Sequence, residues 1–533
     1  MTDIYSNSND TSISQVQNSS LNWFQIGSDI DGSQNNDLLG SKVEISSDGS
    51  VLAVSSIGSA ANNRNGGYVR IYKKLNNQWI QIGSDLTGER VGDSFGSALS
   101  LSSDGSIIAI GASTSSPISS SFYGVDIRNT SAGSVRIYQN LNDQWIQVGS
   151  DIDGESMTDL FGSSVSLSSD GKTLAVGAPR NSSNGFWSGH VRIYKNINGT
   201  WVQQGEDING ESSSDWSGTS ISLSSDGSVI AIGAPINSGN GLKSGHVRVY
   251  KNVNGTWTQL GGDIDGESEG DSSGTSISLS SDGTIIAIGA PSNHGSGTHG
   301  GHVRVFKYNQ DNWEQIGNDI DGDIGGLGTS VSISSNGSIV ATGAKTGGAL
   351  TANTLLSGTV SIFQNKNGSW HKIGSDIKGE VAGDLSGESI SLSSDGEFVA
   401  IGATLNDGNG DASGHVRVFN SPEKIINKTY ELSTIKDYDG NEHGFLGDAP
   451  AHVKSAYKYQ GKLDVNNDGV TEAIFTNKES GRWVTASIDQ ITGIYDYSKH
   501  GQGGTTRIVG IYEDPLVKAG LVEKDSDFDG SRT

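Results

Sequence analysis

The sequence predicts an all-β protein organised around a seven-bladed β-propeller, and three observations predict it. A tryptophan opening W-x-Q-x-G-x-D-[IL] stands at Trp23, Trp79, Trp145, Trp201, Trp257 and Trp313, and in the variant WHKIGSDI at Trp370. The successive spacings are 56, 66, 56, 56, 56 and 57 residues, a period that means a solenoid, propeller or array. A second signature, clearest as FGSSVSLSSDGKTLAVGAP at residues 161–179, recurs in some form seven times between residues 39 and 404. No stretch sustains a 3.6-residue period, so almost no helix is expected.

Each repeat carries four strand candidates. The first is residues 164–168, where apolar residues alternate with serine, the period of a half-buried strand. The second is the short apolar run 174–176, ending in Gly-Ala-Pro. Residues 191–194 are the third and 201–205 the fourth. Ser169-Asp170-Gly171 turns tightly between the first two. Asn198-Gly199 joins the last two, a pair suited to the positive φ angles of a type I′ hairpin. Four antiparallel strands repeated seven times read as propeller blades. The first tryptophan segment precedes the first inner-strand segment, and the last repeat lacks a tryptophan strand of its own. Residues 23–26 are therefore expected to supply the fourth strand of the seventh blade, closing the ring and removing an open edge.

In chain order, residues 1–20 are rich in Ser, Asn and Thr and are expected to be disordered. Residues 21–420 form the propeller. The loop after the second strand is longest in the second repeat, at 112–132, which accounts for the single 66-residue spacing. The loop after the fourth strand is acidic, as in Asp263-Ile264-Asp265-Gly266-Glu267. Both loops open on one face, the expected interaction surface. The recurrent Asp-Ile-Asp-Gly reads as a turn whose aspartates bond backbone amides, or as weak divalent-ion ligands. His190, His246, His302 and His415 share one repeat position, as do Arg70, Arg136, Arg192, Arg248, Arg304 and Arg417. The histidines lie in different blades and read as structural, because metal sites need clustered ligands. The arginines are expected to pair with turn carboxylates within or between blades, and the tryptophans to pack the blades.

The signature at 161–179 resembles the FG-GAP repeat of integrin-type β-propellers. Phe95-Gly96 and Phe161-Gly162 match its FG part. Gly177-Ala178-Pro179, Gly233-Ala234-Pro235 and Gly289-Ala290-Pro291 match its GAP part. The resemblance covers roughly residues 21–420 and implies the fold. Blades of that family often carry a D-x-D-x-D-G calcium loop, whereas this chain has only S-S-[DN]-G there, too few oxygen ligands for Ca²⁺.

After Ser421 the repeat stops, and residues 421–533 are expected to form a small β-rich module. Asp464, Asn466, Asp468 and Glu472 stand at positions one, three, five and nine of a loop with Gly469 at six, and the Val470 carbonyl at seven can add a ligand. Such a loop can wrap Ca²⁺, the alternative being a solvated Asx-rich turn. Asp525, Asp527 and Asp529 form a second candidate calcium loop near the end. The LDVNNDGVTEAIF segment resembles the calcium-loop modules that accompany FG-GAP or VCBS-type repeats in bacterial surface and secreted proteins.

Charge and composition bound the function. The 533 residues carry a formal charge of −25, which argues against nucleic acid or an anionic membrane as a direct partner. There is no cysteine, hence no disulfide framework. No segment is apolar enough for a transmembrane helix, and the start lacks a signal peptide's basic and apolar regions. Ser is abundant, but no G-x-S-x-G elbow with suitably placed partners is present. The expectation is a non-enzymatic, monomeric extracellular or cell-surface binding protein. Its propeller would present loops to a protein or glycan ligand, with Ca²⁺ ordering the C-terminal module. The alternatives are a propeller-based polysaccharide lyase or hydrolase, or a structural spacer. An enzyme would need non-repeated acid–base residues at the central channel or upper face, and the charged residues mostly recur with the repeat.

Overall fold

A computed structural model of the chain describes residues 22–422 except for 59–65, 116–120, 123–124, 127–130, 295–299, 324 and 348–355. Beyond Pro422 it describes six strands only. The chain divides into two compact units, Met1–Glu423 and Lys424–Thr533. Among the described residues every named element is a strand.

The first unit is a seven-bladed propeller of antiparallel sheets. In blade three the strands are Ser164–Leu167, Thr173–Ala178, His190–Ile197 and Thr200–Gln203, from the channel outward. The outer strand resumes after a break as Ile208–Asn209, which pairs with the start of the third strand. The Asp-Ile-Asp-Gly segments therefore belong partly to the sheet, where the sequence suggested a loop. The break is a glycine bulge: Gly205 has φ +77°, a conformation that costs glycine least. The Asn198-Gly199 hairpin turns with φ of 52° and 86°, as its residue pair predicts.

Both faces of each blade are apolar, because consecutive blades stack face to face. Leu174 and Val176 pack toward blade two, whereas Ala175 and Ile193 pack toward blade four with Ile221 and Ile230. The signature tryptophan is the outer joint. Trp23, Trp201, Trp257, Trp313 and Trp370 each donate from Nε1 to a carbonyl of the preceding blade at 2.8–3.3 Å, beside that blade's bulge glycine. The Gln of W-x-Q clamps the Asp four residues on, at 2.6 Å for Gln259 Nε2 to Asp263 Oδ1.

Serine builds the inner joint. An inner strand has no strand partner on its channel side, so its amides need other acceptors. Ser166 Oγ accepts from the Leu223 amide of the next blade, and Ser222 Oγ from that of Leu279, both at 3.0 Å. At the S-S-D-G end, seven amide-to-carbonyl bonds of 2.7–3.0 Å run from Ser47 to Ser103 and onward to Ser394, which donates back to Ser47. Phe24–Gln25 pairs with the third strand of blade seven, His415–Asn420, so the N-terminal segment closes the ring as expected.

Gly-Ala-Pro and Phe-Gly meet where blades touch. A Cβ on Gly233 would overlap the Gly274 carbonyl oxygen of the next blade and Ser220 Oγ within its own. Gly233→Ala is therefore expected to cost about 3 kcal/mol, read as a lower urea midpoint. Gly262→Ala serves as the control for Gly→Ala without a clash, since, like Gly233, it lacks a positive φ and nothing lies near its Cβ. Equal midpoints for the two variants would refute a packing role for the glycine of Gly-Ala-Pro.

In the second unit, Tyr457–Leu463, Glu472–Asn477, Trp483–Ile488 and Tyr495–Asp496 form one antiparallel sheet, and Leu432–Lys436 pairs with Glu442–Phe445.

Candidate active site in the central channel

The inner strand of blade one, Leu39–Ile45, departs from the repeat. Where the other blades carry Ser100, Ser166, Ser222, Ser278, Ser332 and Ser391, it carries Glu44; two residues earlier, where five blades carry serine and one alanine, it carries Lys42. These are the only charged residues among the described inner strands. A strand alternates faces, so both share one side, about 6.6 Å apart along the chain.

Glu44 lines a cavity of about 190 Å³ in the bore, together with Ser47, Ser103 and their counterparts around the ring. At ~30 Å³ per water, that is room for about six waters, or for one small molecule. Enclosure by the bore pushes the Glu44 carboxyl up to about 8, against a hydrogen bond from Ser391 that favours its charged form. Lys42 is exposed to solvent along the bore. The surrounding protein holds its ammonium below the usual lysine range; Glu388 opposes that shift and Lys345 adds to it.

Glu388 and Lys345 are departures too. Glu388 stands where other blades have Ser or Thr, and Lys345 where three blades have proline. Lys345 Nζ lies 3.3 Å from Glu388 Oε1, and Thr404 Oγ1 donates to Glu388 Oε2 at 2.6 Å. Blades six, seven and one thus gather two ammonium groups around one carboxylate, with a second, abnormally basic carboxyl further along the bore. Such an arrangement can exchange a proton near neutral pH and stabilise negative charge that develops beside it. Sequence reading missed this set, although aligning the seven repeats and marking their departures would have found it.

The recurrent arginines and histidines lie elsewhere, at the blade junctions. The recurrent arginines form the expected pairs. Arg136 reaches Asp151 of its own blade at 3.0 Å and Glu89 of the preceding connector at 2.9 Å. The histidines do not converge on one another, but each gathers its own carboxylates. Glu211, His246 and Asp263 offer ligand atoms within 4.8 Å of one another, as do Glu267, His302 and Asp319, and Asp29, Glu380 and His415. These acidic and imidazole groups offer donors for a metal ion, beside the structural role that the shared repeat position suggests. The carboxylates come from the outer strand and from the connector ahead of the blade, so histidine spacing alone hid them. Burial depresses the imidazoles, His190 and His415 to about 4.

The expected calcium residues Asp464, Asn466, Asp468 and Val470 lie outside the described residues, as do Asp525, Asp527 and Asp529. Glu472 opens the strand Glu472–Asn477.

No family model matches this sequence, and no curated protein matches it. Solved structures do. A protein described as a candidate 6-phosphogluconolactonase of Bacteroides uniformis is 11% identical, with a TM-score of 0.45, over 66% of this chain and 87% of that one. The periplasmic gluconolactonase of Pseudomonas aeruginosa is 16% identical, with a TM-score of 0.43, over 68% and 89%. U3-55K is 12% identical, with a TM-score of 0.41, over 74% and 97%. The expectation of a non-enzymatic adhesion protein is corrected here. The channel carries non-repeated charged residues, Glu44, Lys42, Glu388 and Lys345, which the sequence reading named as the requirement for an enzyme and did not find. The likeness itself extends to the fold and no further.

Proposed function

We propose that the protein is a propeller hydrolase acting on a small, polyhydroxylated ester or lactone in its central channel. The observation that carries this is the replacement of one serine of the repeated inner ring by Glu44, a carboxyl pushed up to about 8. A repeat protein that only displayed loops would have no use for a charge in its bore, where it costs stability. The small cavity suits a monosaccharide-sized substrate better than a polymer, and the serine hydroxyls around it suit a polyol.

In this reading the Glu44 carboxylate takes a proton from water, and the resulting hydroxide adds to the ester carbonyl carbon. The carbonyl electrons move onto oxygen, where the Lys42 ammonium stabilises them. Collapse breaks the carbon–oxygen bond, and the proton returns from Glu44 to the departing alkoxide; from a lactone the product is one hydroxy acid. Lys345 and Glu388 would hold the substrate at the mouth.

Aldonolactones are the substrates to try first, with aryl esters beside them. The expected kcat/KM rises with pH up to about 8 and falls again where Lys42 loses its proton, below the usual lysine range. Glu44→Gln is expected to lower kcat/KM by about 10²–10⁴-fold and to abolish the rise. No hydrolysis of either class, or a Glu44→Gln variant as active as the parent, would overturn the assignment.

A further inference from the structure

We propose that the junctions entering blades four, five and seven are divalent-metal sites, built from Glu211, His246 and Asp263, from Glu267, His302 and Asp319, and from Glu380, His415 and Asp29, and that they select Zn²⁺ or Co²⁺ over Ca²⁺ and Mg²⁺. One imidazole nitrogen with two carboxylate oxygens is a donor set for borderline ions, whereas Ca²⁺ and Mg²⁺ require oxygen shells.

The three sites share one geometry. His Nδ1 lies 3.6–3.7 Å from the Asp Oδ2 and 3.9 Å from the Glu Oε2 in every case. Those separations are too long for hydrogen bonds. Ligands about 2.0–2.2 Å from a tetrahedral ion stand about 3.3–3.6 Å apart, so an ion would draw the imidazole and each carboxylate together by only a few tenths of an ångström, while the two carboxylates, within 4.8 Å of each other, have further to close. The imidazoles are buried, and His415 is 1% exposed. Neither of its ring nitrogens has a hydrogen-bond partner, and Nδ1 points at the two carboxylates. At His246 and His302 the buried nitrogen without a partner is Nε2, while Nδ1 faces the carboxylates; His190 Nδ1 in blade three is also without a hydrogen-bond partner.

The scaffold holds one oxygen of each carboxylate and presents the other. Gln259, Gln315 and Gln25 donate to Oδ1 of Asp263, Asp319 and Asp29 at 2.6 Å, which leaves Oδ2 toward the histidine. Arg248, Arg304 and Arg417 stand 3.5–3.6 Å from Glu Oε1, which leaves Oε2 toward the histidine. The connector carrying the glutamate is pinned by a buried aspartate: the Ser212, Ser268 and Glu380 amides donate to Asp215, Asp271 and Asp384 at 2.7–2.9 Å. Oriented ligands of this kind mark a pre-organised site.

Blade three supplies the contrast. It has the same residues, Glu155, His190 and Asp207, but Arg192 occupies the space. Its Nε and Nη2 each reach Asp207 at 2.8 Å, and Nη2 also pairs with Glu155. In the three open junctions the arginine turns to a backbone carbonyl of the preceding blade, Asn209, Asp265 or Lys378, at 2.6–2.7 Å. Arginine and metal compete for the same two carboxylates, so blade three would take an ion only by displacing Arg192, and more weakly. Blades one, two and six carry Tyr68, Ser134 and Thr359 in place of histidine. The junctions sit on the outer strands rather than in the channel, so their loading is read independently of hydrolysis.

The test is titration of the full chain, stripped with a chelator, with Zn²⁺ alone against a competing chromophoric chelator, and with Co²⁺ followed by its visible d–d bands. Three tight equivalents are expected. Each of Asp263→Asn, Asp319→Asn and Asp29→Asn, all at least a quarter exposed, should remove one equivalent without loss of fold. Gln259→Ala, which keeps all three ligands, should weaken one site by about tenfold. A triple Asp→Asn variant that binds as many equivalents as the parent would place the metal elsewhere and overturn the assignment, as would a parent that binds none.

Discussion

Removing residues 1–32 is expected to abolish the cooperative unfolding transition of the propeller and to leave a chain that self-associates. The segment supplies the outer strand of blade seven. Trp23, Ile26 and Ile30 are all less than 10% exposed and pack against blades six, seven and one. Trp23 Nε1 donates to Ile373 at 3.0 Å, the Ile26 amide to Val418 at 2.8 Å and the Gly32 amide to Gly414 at 2.9 Å. Burying three such side chains stabilises by about 6 kcal/mol at 1.5–3 kcal/mol each. Total stabilities are only about 5–15 kcal/mol. Its loss also bares the third strand of blade seven, an edge that invites pairing with another copy. The inner contacts of blades seven and one would survive, since the Val43 amide still finds Ser389 Oγ and the Ser394 amide still finds the Ser47 carbonyl. They involve few atoms and cannot replace the lost core. Urea unfolding with size-exclusion chromatography reads the outcome. Trp23→Ala should cost about 3–5 kcal/mol, and Trp201→Ala, a less buried tryptophan in an internal blade, less. A truncated chain with the parent's midpoint and elution volume would show that the ring needs no such closure.

The same repeat that makes the fold legible obscures the chemistry. W-x-Q-x-G-x-D reads directly as a blade, and its placement before the first inner strand reads as closure, because both follow from order along the chain. The physical content of the motif is not visible there. Trp313 bonds the carbonyl of Leu260 in the preceding blade, and Gln259 holds Asp263 across a glycine bulge. That bulge sets which aspartate oxygen faces His246. The Glu211 partner arrives from the connector of the preceding blade, 35 positions before His246. Recurrence also reads as structure, so a position such as 44, where a single glutamate interrupts six serines, disappears into the average. The departure is informative because a propeller has only one bore: a charge there meets charges from other blades, as Lys42 meets Glu388.

Stability is expected to peak near pH 6, with an acid and an alkaline flank that two different substitutions reduce. His190 is 1% exposed and is pushed down to about 4 by burial, which outweighs the pull of Asp207 and Glu155; Arg192 adds to the depression. The unfolded imidazole titrates near 6.5, so between pH 6.5 and 4 the unfolded chain binds the extra proton. The contribution is fully present above 6.5 and is lost as pH falls toward 4, by about 3 kcal/mol for a shift of this size. Glu44 acts in the opposite sense. Its folded carboxyl titrates near 8 and its unfolded one near 4.5, so the folded chain holds the proton more tightly between those values. That contribution is present below 4.5 and is lost as pH rises through 8. Solvent in the bore screens part of the cost, which leaves on the order of 2 kcal/mol. Urea midpoints from pH 4.5 to 8.5, measured in chelator so that metal does not contribute, separate the two. His190→Asn should reduce the acid flank by its own share, the remainder staying with His246, His302 and His415, and leave the alkaline one. Glu44→Gln should raise stability at pH 8 while removing hydrolysis, the signature of a group retained for chemistry at a cost to the fold. If neither substitution changes the slope on its own side, the bore does not disfavour the charged carboxylate and burial does not disfavour the imidazolium, and the basis for Glu44 as a base near neutral pH falls with them.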